Sequence, residues 1–258
     1  MRGQTHAEWT KLRTGTGAGP LLLAVVALTA AVSAAAAAAA TCPAAGCSHD
    51  VPRLGLIGVQ AGQAVVAALA VLAMGGEYGT GMIRTTLTAM PRRGAVLAAK
   101  AIVLTGVTLV AGTVAVLASV LAARLILPGN GFTPESGHPP LSLADGPTLR
   151  AAAGSVLYLV LIALFSLGVA AAVRDTVTAA GVVLGVLYLS PILVRLVQDP
   201  DAQRFLYRIS PMDAGLTVQA TTGLADLPLG PWAGLGVLAA WTAAALLAGG
   251  LLLRLRDA

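Results

Sequence analysis

The sequence predicts an all-α integral membrane protein: six transmembrane helices, an N-terminal amphipathic interfacial helix and a short cytoplasmic coupling helix. Three observations carry the membrane part of that expectation. Of 258 residues, 57% are apolar and 10% charged, whereas an ordinary soluble domain carries about 25% charge. Mean hydropathy is +0.85. Six uncharged or nearly uncharged runs, Pro20 to Ala40, Leu54 to Met74, Ala101 to Leu121, Ala151 to Val173, Thr176 to Val194 and Trp232 to Leu253, each supply roughly the 17 to 25 residues that a spanning helix needs; with their flanks they mark spans at about 20–40, 54–74, 97–124, 150–173, 176–197 and 232–253. Helices satisfy their own backbone hydrogen bonds, which lipid cannot do, and the short alternating segments of a β-barrel are missing.

Residues 1–19 form an N-terminal helix and linker ahead of the six-helix domain at 20–258. Thr5 and Glu8 have capping-box spacing, and Trp9 and Leu12 lie together beside Lys11 and Arg13, a pattern for a helix lying flat on the inner leaflet. A frayed tail is the plainer reading, because two turns are short for a helix. Gly15 to Pro20 then breaks the chain, and that glycine run lacks the lysine of a nucleotide loop. The first run is about 21 residues, longer than the 7–15 of a signal peptide's apolar region, so it is expected to stay as a span.

Cys42 and Cys47 follow, around Pro43 and Gly46. Three readings stand open: a small disulfide, two free thiols, or a metal site with His49 that lacks a fourth ligand. The second span carries Gln60 and Gln63 on one face, with Gly58 and Gly62 in a G-x-x-x-G pattern, so it should face protein or a pathway rather than lipid. Lys100 and Arg124 flank the third run and can reach the two interfaces by snorkelling. The loop from Pro128 to Pro147, with His138, reads as a solvated connector, and the short Arg174-Asp175 turn makes the fourth and fifth spans antiparallel neighbours. The fifth span repeats the small-residue spacing with Gly181 and Gly185, then carries Tyr188, Ser190 and Pro191. The outer loop at 198–231 alternates acids and bases around an apolar middle, Phe205 to Gly215, which either dips back toward the membrane or rests on the outer leaflet.

Orientation comes from the cations. With the N-terminus inside, ten of the 16 Lys and Arg residues fall on the inner side, in accord with the positive-inside rule. Both termini are then cytoplasmic in a multi-pass protein of the cell membrane. The basic balance reflects that topology rather than nucleic-acid binding, since no basic cluster comes with stacking aromatics.

Between the second and third spans lies a polar island, the coupling loop at 75–95. As a helix it sets Tyr78, Met82, Ile83, Thr86, Ala89 and Met90 on one side and Glu77, Thr80, Arg84, Thr85 and Thr88 on the other; Pro91 stops it. The order Glu77, Tyr78, Gly79-Thr80, Arg84-Thr85-x-Leu87, Pro91-Arg92-Arg93 and Lys100 resembles the loop between the first two helical pairs of type-2 ATP-binding-cassette (ABC) transporter permeases. The resemblance extends by layout over nearly the whole chain, and Pro211 to Gly215 is similar to a Pro-x-x-Ala-Gly sequence these permeases place between their last two spans.

That resemblance implies a half-transporter that pairs with itself or with a second permease in the lipid bilayer. It also implies cytoplasmic ABC ATPase subunits, which would hold the ATP and Mg; no cofactor is expected on this chain. Glu77, Tyr78, Thr80, Met82, Arg84, Thr85, Leu87, Arg92 and Arg93 would meet the ATPase, with Glu77 paired to Lys11, Arg13 or Arg84. Gln60, Gln63, Tyr188 and Ser190 would line the translocation path. The path's low polarity fits export of an amphiphilic or lipid-like substrate. No ionisable residue occupies the middle of a span, which disfavours proton- or ion-coupled transport. Neither catalytic residues nor a metal site are expected, because no Ser/His pair, paired carboxylates or histidine ligand set lies at a membrane face. A non-transporting membrane anchor or sensor subunit and a passive facilitator remain as rival readings.

Overall fold

The computed structural model of the chain describes residues 2–14, 17–43, 47–79, 81–82 and 93–255. Among these residues there are ten α-helices and no strand: α1 (Arg2–Thr14), α2 (Ala18–Ala39), α3 (Val51–Gly55), α4 (Val59–Gly79), α5 (Arg93–Ile126), α6 (Gly146–Val173), α7 (Thr176–Leu196), α8 (Pro200–Ile209), α9 (Pro211–Leu216) and α10 (Pro231–Leu255). Six of them, α2, α4, α5, α6, α7 and α10, are long and apolar enough to cross a membrane. The chain is therefore a multi-pass membrane protein by length and composition.

Helix α6 is the centre of the bundle. It packs against α10, α4, α5 and α7, and it buries Tyr158, Leu159, Ile162 and Leu167 completely. Its ends follow local chemistry. Asp145 caps the first turn by accepting from the Thr148 amide at 3.4 Å. The last turn closes on Arg174 at φ 66°, and Asp175 at once caps α7 by accepting from the Thr178 amide at 2.7 Å. Two residues thus reverse the chain, and α6 and α7 are in contact as the short turn predicts.

Two boundaries differ from the sequence expectation. The second span starts at Val59, not near 54, because Val51–Gly55 form a separate short helix capped by Asp50. At its other end α4 runs on through Gly79, so Gly75 to Gly79 belong to the spanning helix and not to a separate coupling helix. The rest of the expected coupling helix, with Thr80 and residues 83–92, lies outside the described residues. Helix α5 is 34 residues long, about 51 Å at 1.5 Å per residue, well beyond the ~30 Å of a hydrocarbon core.

Small residues decide the closest contacts. A Cβ on Gly62 would lie 2.0 Å from Thr29 Oγ1, so the Gly58/Gly62 pair seats α4 on α2. Among the described residues the similar pair in α7 makes no such approach: a Cβ on Gly181 would meet nothing within 4 Å. The segment expected to turn back toward the membrane, Phe205 to Gly215, divides: its first half, in α8, has no buried residue, and its second half is packed inside the bundle. Pro211, Met212, Ala214, Gly215 and Leu216 of α9 are all buried, and α9 contacts α6, α7 and α10.

Candidate functional site

One end of the bundle gathers the buried charges. Glu8 and Lys11 come from α1, Glu77 from the last turn of α4, and Lys100 from the second turn of α5. They close into a ring of alternating sign: Lys11 Nζ to Glu8 Oε1 at 3.0 Å, Lys100 Nζ to Glu8 Oε2 at 2.7 Å, and both ammonium groups to Glu77 Oε1 at 2.8 Å. A third donor of Lys100 reaches the Ala73 carbonyl at 3.0 Å, which uses its donor capacity in full. Glu8, Glu77 and Lys100 are buried at 3%, 5% and 3% exposure, so the ring's net neutrality is what makes their burial tolerable. Burial draws the Lys11 pKa down, but hydrogen bonds and charge from Glu77 and Glu8 outweigh it and hold the ammonium above its usual value. The other Glu77 oxygen, Oε2, is buried and has no hydrogen-bond partner among the described residues.

This arrangement sorts the sequence expectations. Of the three partners considered for Glu77, Lys11 is found; Arg13 is exposed and Arg84 lies outside the described residues. Lys100 does not snorkel to an interface but sits inside, fully paired. Glu8 is no capping-box member, because α1 begins at Arg2 and Thr5 is interior to it. Trp9 and Leu12 part company: Trp9 is 49% exposed while Leu12 packs on the core. Tyr78 is half-buried with the Arg174 guanidinium 5.8 Å from its ring centroid, and Met82 is exposed. Thr80, Arg84, Thr85, Leu87 and Arg92 lie outside the described residues, as does the side chain of Arg93. A cavity of about 280 Å³ adjoins the ring, walled by Leu12, Leu21, Leu69 and Leu104.

A second site lies at the opposite end. A cavity of about 560 Å³ opens between α4, α7, α8 and α9, lined by Arg53, Gln60, Tyr188, Arg195, Tyr207 and Asp213 among others. The Tyr188 hydroxyl donates to the Gln60 carbonyl. Ser190 stands behind the wall, its hydroxyl 2.9 Å from that of Ser210, which donates to Asp213 Oδ2 at 2.8 Å. Burial pushes the Asp213 carboxyl above the usual carboxylate range, against the Ser210 hydroxyl and the Arg195 charge, which pull it down. Of the four candidate path residues, the structure brings Gln60 and Tyr188 to this cavity. Gln63 is fully buried instead, accepting from the Tyr158 hydroxyl and donating to Met212 Sδ at 3.2 Å.

Sequence reasoning passed over the polar ties on this side. Gln219 is buried between the Leu56 carbonyl, 3.3 Å, and the Ser155 hydroxyl, 3.0 Å. Asp50, besides capping α3, accepts from the Thr221 amide and hydroxyl at 2.6 and 2.7 Å. Cys42 and Cys47 form a disulfide, the first of the three readings. His138 is no free connector residue: its Nε2 lies 3.0 Å from the Cys47 carbonyl and 3.2 Å from Cys47 Sγ. His49 points elsewhere, edge-on to Phe132. No protein-family model matches the chain, and no curated protein does.

Proposed function

We propose that the chain is the membrane-spanning subunit of a type-2 ABC exporter that moves an amphiphilic or lipid-like substrate with energy from a separate cytoplasmic ATPase. The observation that carries this reading is the buried ring around Glu77, in the last turn of α4 and three residues ahead of Thr80 in the chain. A partner that displaces that segment pulls on the last turn of α4, and the two 2.8 Å contacts of Glu77 pass the displacement to α1 and α5 together. Packed helices and charge networks have discrete arrangements rather than a continuum of deformations, which suits a mechanical input. Among the described residues Glu77 Oε2 has no partner, which leaves an unused acceptor three positions before Thr80 in the chain. A dimer with itself or a second permease, cytoplasmic termini and ATPase contact through Tyr78 to Arg93 follow from the same reading.

The ring also supports transport over mere anchoring, since an anchor needs no buried tie joining the last turn of α4 to α1 and α5. The test is reconstitution with a P-loop ABC ATPase, taken from a neighbouring reading frame if one encodes it. ATP hydrolysis that rises on complex formation, with nucleotide-dependent movement of a labelled amphiphile, supports the reading. A complex that hydrolyses ATP but moves nothing points to an anchor, and movement without nucleotide points to a facilitator.

A further inference from the structure

We propose that the cavity between α4, α7, α8 and α9 binds the anionic head of an amphiphile whose tail lies along α7. As a statement of substrate class this rests on the transport reading; as a statement of binding it does not. Charge is the first ground. Three arginines, Arg53, Arg195 and Arg204, line the cavity against a single acid, Asp213. That acid is already engaged, accepting from the Ser210 hydroxyl at 2.8 Å, with Arg195 near enough to stabilise its charge.

The second ground is which donors are left over. Gln203 is committed to the Val194 carbonyl at 3.2 Å, and Arg204 sits 3.9 Å from Asp201. The guanidinium groups of Arg53 and Arg195 have neither ion pair nor hydrogen bond among the described residues, and neither has the side-chain amide of half-buried Gln60. Two unpaired planar forks and an amide lining one cavity are donors suited to a phosphate or carboxylate.

The third ground is size and surroundings. About 560 Å³ lies within the range of small-molecule sites and exceeds what a bare phosphate fills. Ile192 belongs to the wall and is 52% exposed; Leu189, Leu193 and Leu196 continue the exposed apolar surface along α7. An acyl chain anchored by its head at the cavity lies against that surface without leaving the bilayer.

Purified protein in phosphatidylcholine nanodiscs is titrated with dodecyl phosphate, dodecyltrimethylammonium and inorganic phosphate, and binding is read by calorimetry. Dodecyl phosphate should saturate at one site per chain, the cationic amphiphile should not bind, and inorganic phosphate should bind at least about tenfold more weakly. R53Q and R195Q should each weaken dodecyl phosphate by about tenfold, the usual scale for one charged hydrogen bond, while R204Q changes little. Both arginines are exposed, so unchanged melting confirms that the variants fold. Equal binding by wild type and R53Q/R195Q, or equal binding of both amphiphiles, overturns the site; inorganic phosphate binding as tightly overturns the amphiphile. ATP-driven transport without anionic binding removes the inference and leaves the transport reading. Binding with no effect on a partner ATPase does the reverse.

Discussion

Replacing Glu77 by Gln tests the buried ring most directly. At 2.8 Å and an effective dielectric of about 20, each ion contact has a Coulomb energy near 6 kcal/mol before desolvation is set against it. The substitution would leave Lys100, only 3% exposed, with Glu8 as its sole carboxylate and the ring with a net charge of +1. Removing one partner of a buried pair costs about 3–5 kcal/mol. Lys11 is one-third exposed, so Lys11→Met should fall near the ~1 kcal/mol of exposed pairs. In a chain this long, several kcal/mol corresponds to a melting shift on the order of 10 °C. Glu77→Gln should therefore melt about 10 °C lower and expose Arg13 to trypsin faster, as α1 loosens. The double variant Glu77→Gln/Lys100→Met restores neutrality around the remaining Glu8–Lys11 pair, so its loss should be smaller than the sum of the singles. Glu77→Gln melting like wild type, or a double variant that loses the full sum, would refute the reasoning.

Four further outcomes are expected. Maleimide should label Cys42 and Cys47 only after reduction, and Cys42→Ser/Cys47→Ser should lower stability by about 2 kcal/mol for so small a loop, read by mass shift and melting. A Cβ on Gly154 would stand 2.1 Å from Val218 Cγ2, so Gly154→Ala should cost about 1–3 kcal/mol, whereas Gly181→Ala, in open space, should be neutral or stabilising by up to about 1 kcal/mol; equal melting of the two contradicts the packing. Asp213, set among Arg195, Ser210 and Tyr207, has a folded pKa above its unfolded value. Its stabilising contribution is thus complete below the unfolded value, near 3.9, and is lost as pH rises through the folded one. The melting temperature of wild type relative to Asp213→Asn should accordingly fall as pH rises through that window, and a flat difference counts against it. In a cysteine-free background, Thr178→Cys should react with an impermeant thiol reagent only from the cytoplasm and Gln203→Cys only from outside; the reverse pattern inverts the topology.

Much of the bundle was legible because a span is a one-dimensional property: apolar length and the scarcity of charge suffice to mark it. The small-residue pair Gly58/Gly62 likewise announced a close helix contact, which α2 supplies. The same spacing at Gly181 and Gly185 announced one that is not made among the described residues, since spacing says that an approach is possible and not what approaches. Gln63 illustrates the matching limit for polar residues. A glutamine within a span needs a partner, yet nothing near it in sequence reveals that the partner is Tyr158, 95 positions away.

What the sequence determined by itself is therefore the membrane class, the number of spans, the short turn at Arg174-Asp175 and the two cysteines close enough to bond. What only the tertiary structure decided is the set of long-range polar pairs. Lys100 at the edge of an apolar run looks like an interfacial anchor until α1 folds back and brings Glu8 within 2.7 Å. The arginines of the cavity between α4, α7, α8 and α9 look like scattered charges until the fold gathers them around it. Hydrophobic length acts locally and is written along the chain, whereas the burial of a charge depends on which opposite charge the fold delivers to it.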